Sequence, residues 1–408
     1  MVDTSGSVAV IGGGPAGLMA AEVLASAGAA VTVFERMPSV GRKFQLAGRG
    51  GLNLTHSEPL HDIIPRYGPA RDRLGAALGA FTPDDLRAWC AGLDQDTFVG
   101  SSGRVFPKGF RATALLRSWL RRLDGLGVEL RVRHTWRGWD RERSGAVVFW
   151  DAAGETVTFT ADATVLALGG ASWPRTGSDG GWVELVRAAG IEVRPLRPAN
   201  CGFSVSWTGT FAERFQGSPL KNVTLSFGGM SVRGEALITA TGIEGGAVYA
   251  LSSALRDAID TSGPAVVHVD LRPDISVEQL TAVLARRRPK DSASTALRRA
   301  GFGPVAVALL REVVGGPPPR DGVALARLAK AVPIVALVPQ PLARAISTAG
   351  GIALAEVDEG FMLRRRPGTF VAGEMLDWEA PTGGYLLQGA FSTAVVAARA
   401  ALAWLASP

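Results

Sequence analysis

The chain has 408 residues, 47% hydrophobic and 20% charged, which suits a core large enough for two domains and excludes a disordered chain. Its net charge of +6 rests largely on arginine, with clusters at Arg117, Arg121, Arg122, Arg131 and Arg133 and at Arg286-Arg287-Arg288 with Lys290. These read as solvated helix faces or as anion-binding patches; no zinc-finger, RRM or KH motif marks a nucleic-acid module, and Cys90 and Cys201, without a CxxC, give neither a disulfide framework nor a dithiol redox motif.

In chain order, Val8-Ala9-Val10-Ile11 predicts a buried strand, residues 15–27 a helix opened by Pro15 and Ala16, and Val31-Thr32-Val33-Phe34 a second strand closed by Glu35. Between the strands lie Gly12, Gly14 and Gly17. This fingerprint holds the ADP half of a dinucleotide: Gly12 makes the tight turn, Gly14 lets backbone approach a pyrophosphate, and Gly17 lets helix pack on strand. The helix N-terminus faces the phosphates, and Glu35 can accept from ribose hydroxyls. Asp3 and the Gly12–Pro15 turn break up the first apolar run, so it reads as a strand and not as a secretion signal. Without that signal or a cysteine framework, the expected setting is the cytoplasm.

Residues 37–58 form a glycine- and arginine-rich loop with no helical or strand period, a length that in a core domain usually serves function. Helices are predicted near 83–92 and 111–126, then strands near 127–133, 145–150 and 155–160 as a small meander. Thr164–Leu168 is a buried strand ending in Gly169-Gly170, followed by a helix near 178–189. From about 191 the composition shifts to proline, threonine and short alternating strands, with helices near 276–288, 292–300, 304–314 and 322–331. The predicted division is 1–190, an insert of 191–345 (β-rich over 191–275, helical over 276–331), and a return over 346–408. The most apolar stretch, Ala390–Leu405, contains Arg399 and reads as a buried helix in place of a membrane span.

Three further segments carry chemistry: Gly41–Thr55, Ala167–Pro174, and Gly373-Glu374-Met375-Leu376-Asp377 with Gly383–Gly389. All are glycine-dense, as backbone lying close to a flat ring must be. A Gly-Glu followed by a glycine-started helix suits a ribityl chain and an isoalloxazine, the helix N-terminus stabilising negative charge on a reduced ring. Together these segments resemble the BaiN-like (YhiN-like) family of FAD-dependent oxidoreductases, over residues 5–60, 160–180 and 345–400. The resemblance implies an α/β fold: a discontinuous Rossmann-like FAD-binding domain, similar to that of glutathione reductase, with an inserted β-rich plus helical domain that caps the flavin. It implies that Gly12, Gly14, Gly17, Glu35 and Arg36 hold the ADP moiety, Arg42 and Lys43 lie by the phosphates, and Gly51 and Asn53 line the flavin. Gly373, Glu374 and Asp377 would then hold the ribityl end, and Gly384 with Gln388 the isoalloxazine.

The chain departs from the family where Gly-Gly-Gly-Arg-Cys-Asn is replaced by Gly48-Arg49-Gly50-Gly51-Leu52-Asn53, and Gly-Gly-Tyr-Asn by Gly383-Gly384-Tyr385-Leu386. These changes touch the substrate more than FAD. The activity implied is reduction of an electron-poor C=C bond in a small molecule, with NAD(P)H as transient electron donor, since no second glycine fingerprint offers a nicotinamide platform. RNA uridine is a competing substrate, and a monooxygenase or a non-catalytic FAD-binding redox sensor are further alternatives. Tyr385 is the candidate proton donor or else a helix-start packing residue; Arg49 clamps an anionic substrate or the flavin, or else serves a phosphate. Trp173 and Arg175 border the substrate or anchor their loop. His56, His61, His134 and His268 are scattered without metal spacing and receive no role.

Overall fold

Val8, Ala9, Val10 and Ile11 are at most 1% exposed, and a strand apolar on both faces belongs at the centre of a parallel sheet covered by helices. In the computed structural model, which describes residues 6–48, 51–286 and 291–407, this strand is β1 (Ser7–Ile11). The elements that position the site follow as α1 (Pro15–Ser26), β2 (Ala30–Glu35), α2 (Arg42–Ala47), β3 (Thr55–His56), β4 (Thr97–Val99), β5 (Arg104–Pro107), α3 (Ala112–Gly125), β6 (Glu129–Val132), β7 (Ala163–Leu166), β8 (Thr369–Val371) and α4 (Tyr385–Leu405). The parallel sheet runs β8-β7-β1-β2-β6, with Val8 opposite Val31 on one side and Ala163 on the other. Returning after more than 200 residues, the chain adds β8 beside β7, so the Rossmann-like domain is discontinuous.

Two compact units result: residues 198–346 form one, and the remainder of the chain the other. The structural boundary therefore begins at 198, against 191 from composition. The insert carries its own six-stranded antiparallel sheet, in the order Phe203–Ser204, Gly242–Glu244, Met230–Thr239, Pro219–Phe227, Ala265–Asp270 and Val332–Ala336. Its own core includes Leu225, Ile238, Leu255, Leu280 and Leu309. The helices at Val277–Ala285, Ala293–Arg299, Pro304–Val313 and Gly322–Lys330 fall where the periodicity puts them, whereas those at Gly209–Phe215, Gly246–Ala250 and Ser252–Ser262 are additional to the expected elements.

Several expectations are corrected. The strand near 127–133 is no part of the meander: as β6 it extends the parallel sheet beside β2, where its Glu129–Arg131 ion pair suits a solvated edge. The meander's first strand is Thr135–Trp139 instead. The loop 37–58 contains the short α2 and β3, and the helix near 178–189 shrinks to Val183–Ala188. Helix α4 is long and apolar enough to cross a membrane, yet Phe391, Ala394, Ala397, Ala398 and Ala401 are fully buried in the core that also takes Leu18 and Ala21 of α1. Its apolarity is that of a core helix.

Seating of α1 against the sheet is set at backbone distance. A Cβ on Gly17 would overlap the Gly12 carbonyl oxygen, and one on Gly12, itself at φ +113°, would overlap the carbonyl of Ala167 just past β7. Gly17→Ala is therefore expected to destabilise the chain by about 3 kcal/mol or more, read as a lowered urea midpoint. An unchanged midpoint would contradict this packing.

Candidate functional site

The first turn divides its glycines by role. Around Gly14, a Cβ meets no protein atom within 4 Å, in contrast to Gly12 and Gly17. That open space lies at the start of α1, where Gly14 is the N-cap, Pro15 and Ala16 open the helix, and no side chain caps the free N–H groups. An anion fits there. At the end of β2, Glu35 accepts from Gly13 N (2.9 Å) and Met37 N (2.7 Å) through different carboxylate oxygens. Burial pushes its pKa up against these bonds and the charge of Arg36. Arg36 itself is paired with Asp179 at 2.6 Å.

A second group joins the loop after β2 to the return segment. Lys43 Nζ donates to Glu374 Oε2 and to Ser172 Oγ, both at 2.8 Å. Glu374 also accepts from Thr348 N at 2.9 Å and, at 3.4 Å, from Gly170 N. Gly169, at φ +72°, lies close to Ser178 Oγ and passes its carbonyl to Trp182. Gly373 packs against Ala16 and receives Trp378 at its carbonyl. Thus Ala16, Lys43, Gly170, Gly373 and Glu374 meet, and Lys43 is engaged at Glu374, the residue expected at the ribityl end.

A third group surrounds the N-terminus of α4. Gly384, at φ +103°, leaves no room for a Cβ against the Thr55 backbone, which brings Tyr385 beside β3. Tyr385 Oη donates to Glu58 Oε1 at 2.7 Å, its ring stacks on His56 at 5.3 Å, and its carbonyl accepts from the buried Tyr67 hydroxyl at 2.6 Å. Arg66 grips both Glu58 oxygens, at 3.2 and 3.1 Å. Burial raises the Glu58 carboxyl, but Arg66, the Tyr385 hydroxyl and His56 more than offset it, leaving its pKa below the ordinary value. Burial and Glu58 together push the Tyr385 phenol well above its ordinary pKa.

Other expected residues stand apart. Gln388 is fully buried and spends its amide N–H groups on Phe81 O and Ser392 Oγ, while its Oε1 has no hydrogen-bond partner among the described residues. Asp377 turns its N–H to Ile352 O, and burial raises its carboxyl although Arg194 and Arg197 oppose the rise. Arg42 keeps a buried Nε without a partner among the described residues, Gly51 takes φ +110°, and Arg49, with Arg287, Arg288 and Lys290 of the basic cluster, lies outside those residues. Glu58, Arg66, Ser172 and Thr348 were missed by sequence reasoning: Glu58 and Tyr385 are 327 positions apart, and no local period announces such a pair.

The FAD implied by the resemblance suits these residues. Besides the open space at Gly14, Asn53 Oδ1, Thr55 Oγ1, Ser178 Oγ, Gln388 Oε1 and Arg42 Nε are buried without a hydrogen-bond partner among the described residues, and buried polar groups of this kind call for a ligand or water. Gly14→Val is expected to fold with a melting temperature within a few degrees of the parent apoprotein and to purify without flavin. A variant that keeps one FAD per chain would refute the assignment of that space.

Known proteins resemble this chain in sequence and in fold. The chain is 25% identical over 97% of its length to a 3-dehydro-bile acid delta(4,6)-reductase of Clostridium scindens, covering 98% of that protein. It is 26% identical over 71% of its length to a ribosomal RNA dihydrouridine synthase of Haemophilus influenzae, covering 70% of it. In fold it is similar to the 3-ketosteroid delta1-dehydrogenase of Sterolibacterium denitrificans (TM-score 0.55, 15% identity, 98% of this chain and 100% of that one) and to a flavocytochrome c3 fumarate reductase (TM-score 0.52, 15% identity, 98% and 78%). A match over residues 6–400 places the chain in the family described as the HI0933-like protein Rossmann domain, and it belongs to these FAD-dependent oxidoreductases through its Rossmann-like FAD-binding domain.

Proposed function

We propose that the protein reduces an electron-poor C=C bond in a small molecule, taking electrons from NAD(P)H; a cytoplasmic setting suits that donor. The observation that carries this reading is the Tyr385–Glu58 hydrogen bond of 2.7 Å, held by Arg66 at the glycine-started end of α4. Reduced FAD, when bound, supplies a hydride equivalent to the β-carbon of the substrate. The α-carbon then needs one proton as the π bond is lost.

Tyr385 Oη is the group we assign to deliver it. Its hydrogen points to Glu58 while that carboxylate is ionised, and loss of the proton from the phenol alone would set two negative oxygens 2.7 Å apart. Glu58 therefore refills the phenol: when protonated it donates to Tyr385 Oη, which turns its own O–H to the substrate. The pair, and not the phenol by itself, is the acid. His56 stacks on the ring and receives the Glu58 N–H at Nδ1, fixing the carboxylate's backbone. Gly373, Glu374 and Lys43 are assigned to the ribityl end, Gly12, Gly14, Gly17 and Glu35 to the ADP moiety.

A second reading, reduction of uridine in RNA, is supported by the Haemophilus influenzae relative and the net charge of +6. Binding of a ribosomal RNA fragment that weakens steeply with salt would favour it; a neutral enone shows no such slope.

The direct test mixes anaerobically reduced holoprotein with an enone and follows return of flavin absorbance, after separate reduction by NADH and by NADPH. Reduction by one nicotinamide followed by enone-dependent reoxidation supports the proposal; a flavin that neither donor bleaches, or that no enone reoxidises, counts against it. Tyr385→Phe should slow reoxidation roughly 10²–10⁴-fold. Because the protonated fraction of Glu58 falls as pH rises through a pKa held below the ordinary carboxylate value, the rate should climb as pH is lowered toward that range. A rate that rises with pH would contradict the relay.

A further inference from the structure

The small antiparallel sheet β3-β5-β4 is buried at the centre of one face and half-buried on the other. Thr55 and Val105, register partners, are fully buried. Alternation along the strands then turns His56, Arg104, Phe106 and Phe98 to the other face, with His56 opposite Arg104 and Phe98 opposite Phe106. Phe110 joins this face from the following turn: its ring centroid lies 5.0 Å from that of Phe98 and 5.6 Å from that of Phe106, and it is 50% exposed in a left-handed backbone conformation at φ +56°. A phenylalanine held half in solvent at positive φ is uncommon. Gly51, in the loop assigned to line the flavin, sits against the same rings, where a Cβ would come 3.3 Å from Phe110 and 3.4 Å from Phe106.

At the other end of the face Arg104 is half-buried and makes no hydrogen bond or ion pair among the described residues. It is close to Tyr385: a Cβ on Gly383 would lie 3.7 Å from Arg104 Nε and 3.2 Å from the Tyr385 ring. The charged and titratable groups around that point are Glu58, Arg66, His56 and Arg104, with Asp62 behind Arg66 and the Tyr67 hydroxyl behind Tyr385. Arg66 is committed to Glu58, which leaves Arg104 as a guanidinium without a partner beside the proposed acid.

We propose that this face is the substrate platform for a flat, apolar, fused-ring enone, with Phe98, Phe106 and Phe110 carrying the ring system and Arg104 binding the carbonyl oxygen. The inference rests on the double-bond reading above. Three adjoining rings offer a broader apolar surface than one nucleobase fills. A guanidinium on the carbonyl oxygen draws electrons from the β-carbon, which makes that carbon a better hydride acceptor, while Tyr385 faces the α-carbon side. No oxidant or reductant beyond those named for the proposed reaction is needed.

The test titrates FAD-loaded protein with 1,4-androstadiene-3,17-dione, 2-cyclohexen-1-one and uridine monophosphate, following perturbation of the flavin bands, for the parent chain and for Phe110→Ala, Phe98→Ala and Arg104→Met. Flavin content and melting temperature check that each variant is folded. Phe110→Ala should raise the steroid Kd about tenfold, with a smaller loss for the one-ring enone, and Arg104→Met should weaken both enones and slow reoxidation of reduced flavin by more than about tenfold. Steroid affinity within twofold of the parent in both phenylalanine variants, or a nucleotide that binds more tightly than the steroid through the same residues, overturns the platform. Steroid binding that depends on the phenylalanines without flavin reoxidation keeps the platform and removes the double-bond reading. Steroid turnover indifferent to Phe98, Phe110 and Arg104 does the reverse.

Discussion

Everything in the first unit is built around one contact made at backbone distance: the Gly12 turn lies under Gly17 of α1 on one side and against the Ala167 carbonyl past β7 on the other. No side chain fits at either glycine. The constraint pins the helix N-terminus at the crevice beyond the carboxyl ends of β1 and β7, where open α/β sheets bind their ligands. It also explains why Gly14, two residues on, can face empty space. A turn this tight positions the helix through protein contacts alone and leaves one glycine for the ligand.

The second organising fact is the return of the chain. Helix α4 must be apolar almost all round because it is buried among α1, the sheet and the segment at Phe81, where Gln388 and Ser392 satisfy a carbonyl that the core would otherwise strand. Its first residue is then held from three sides, by Tyr67, His56 and Glu58. Lys43 and Glu374 make a comparable stitch 331 positions apart. Buried or half-buried ion pairs of this kind add little net stability, because desolvation cancels much of the attraction, but each fixes a geometry.

Much of this was legible in the residues. The strand-glycine-helix-strand-acid pattern specifies the nucleotide turn, since each glycine answers a separate steric demand, and the glycine-started α4 pointed to Tyr385. Elements set by tertiary partners were less legible. Glu129–Val132 reads as a strand, but nothing in its own residues says that it pairs with β2 as a parallel edge and not with the meander that follows. Helix α2 has six residues, too few to show a period. Glu58 and Arg66 gave no signal because their roles come from a partner on the far side of the fold, and His56 looked isolated for the same reason.

The most direct measurement is a crystal structure of the holoprotein with FAD. The account predicts the pyrophosphate in the space beside Gly14 at the start of α1, the adenosine ribose toward Glu35, and the isoalloxazine reached by the loop of Gly51 and Asn53 and by the N-terminus of α4 at Tyr385. A flavin whose pyrophosphate lies elsewhere, or whose ring is remote from Tyr385 and Gly51, would contradict it.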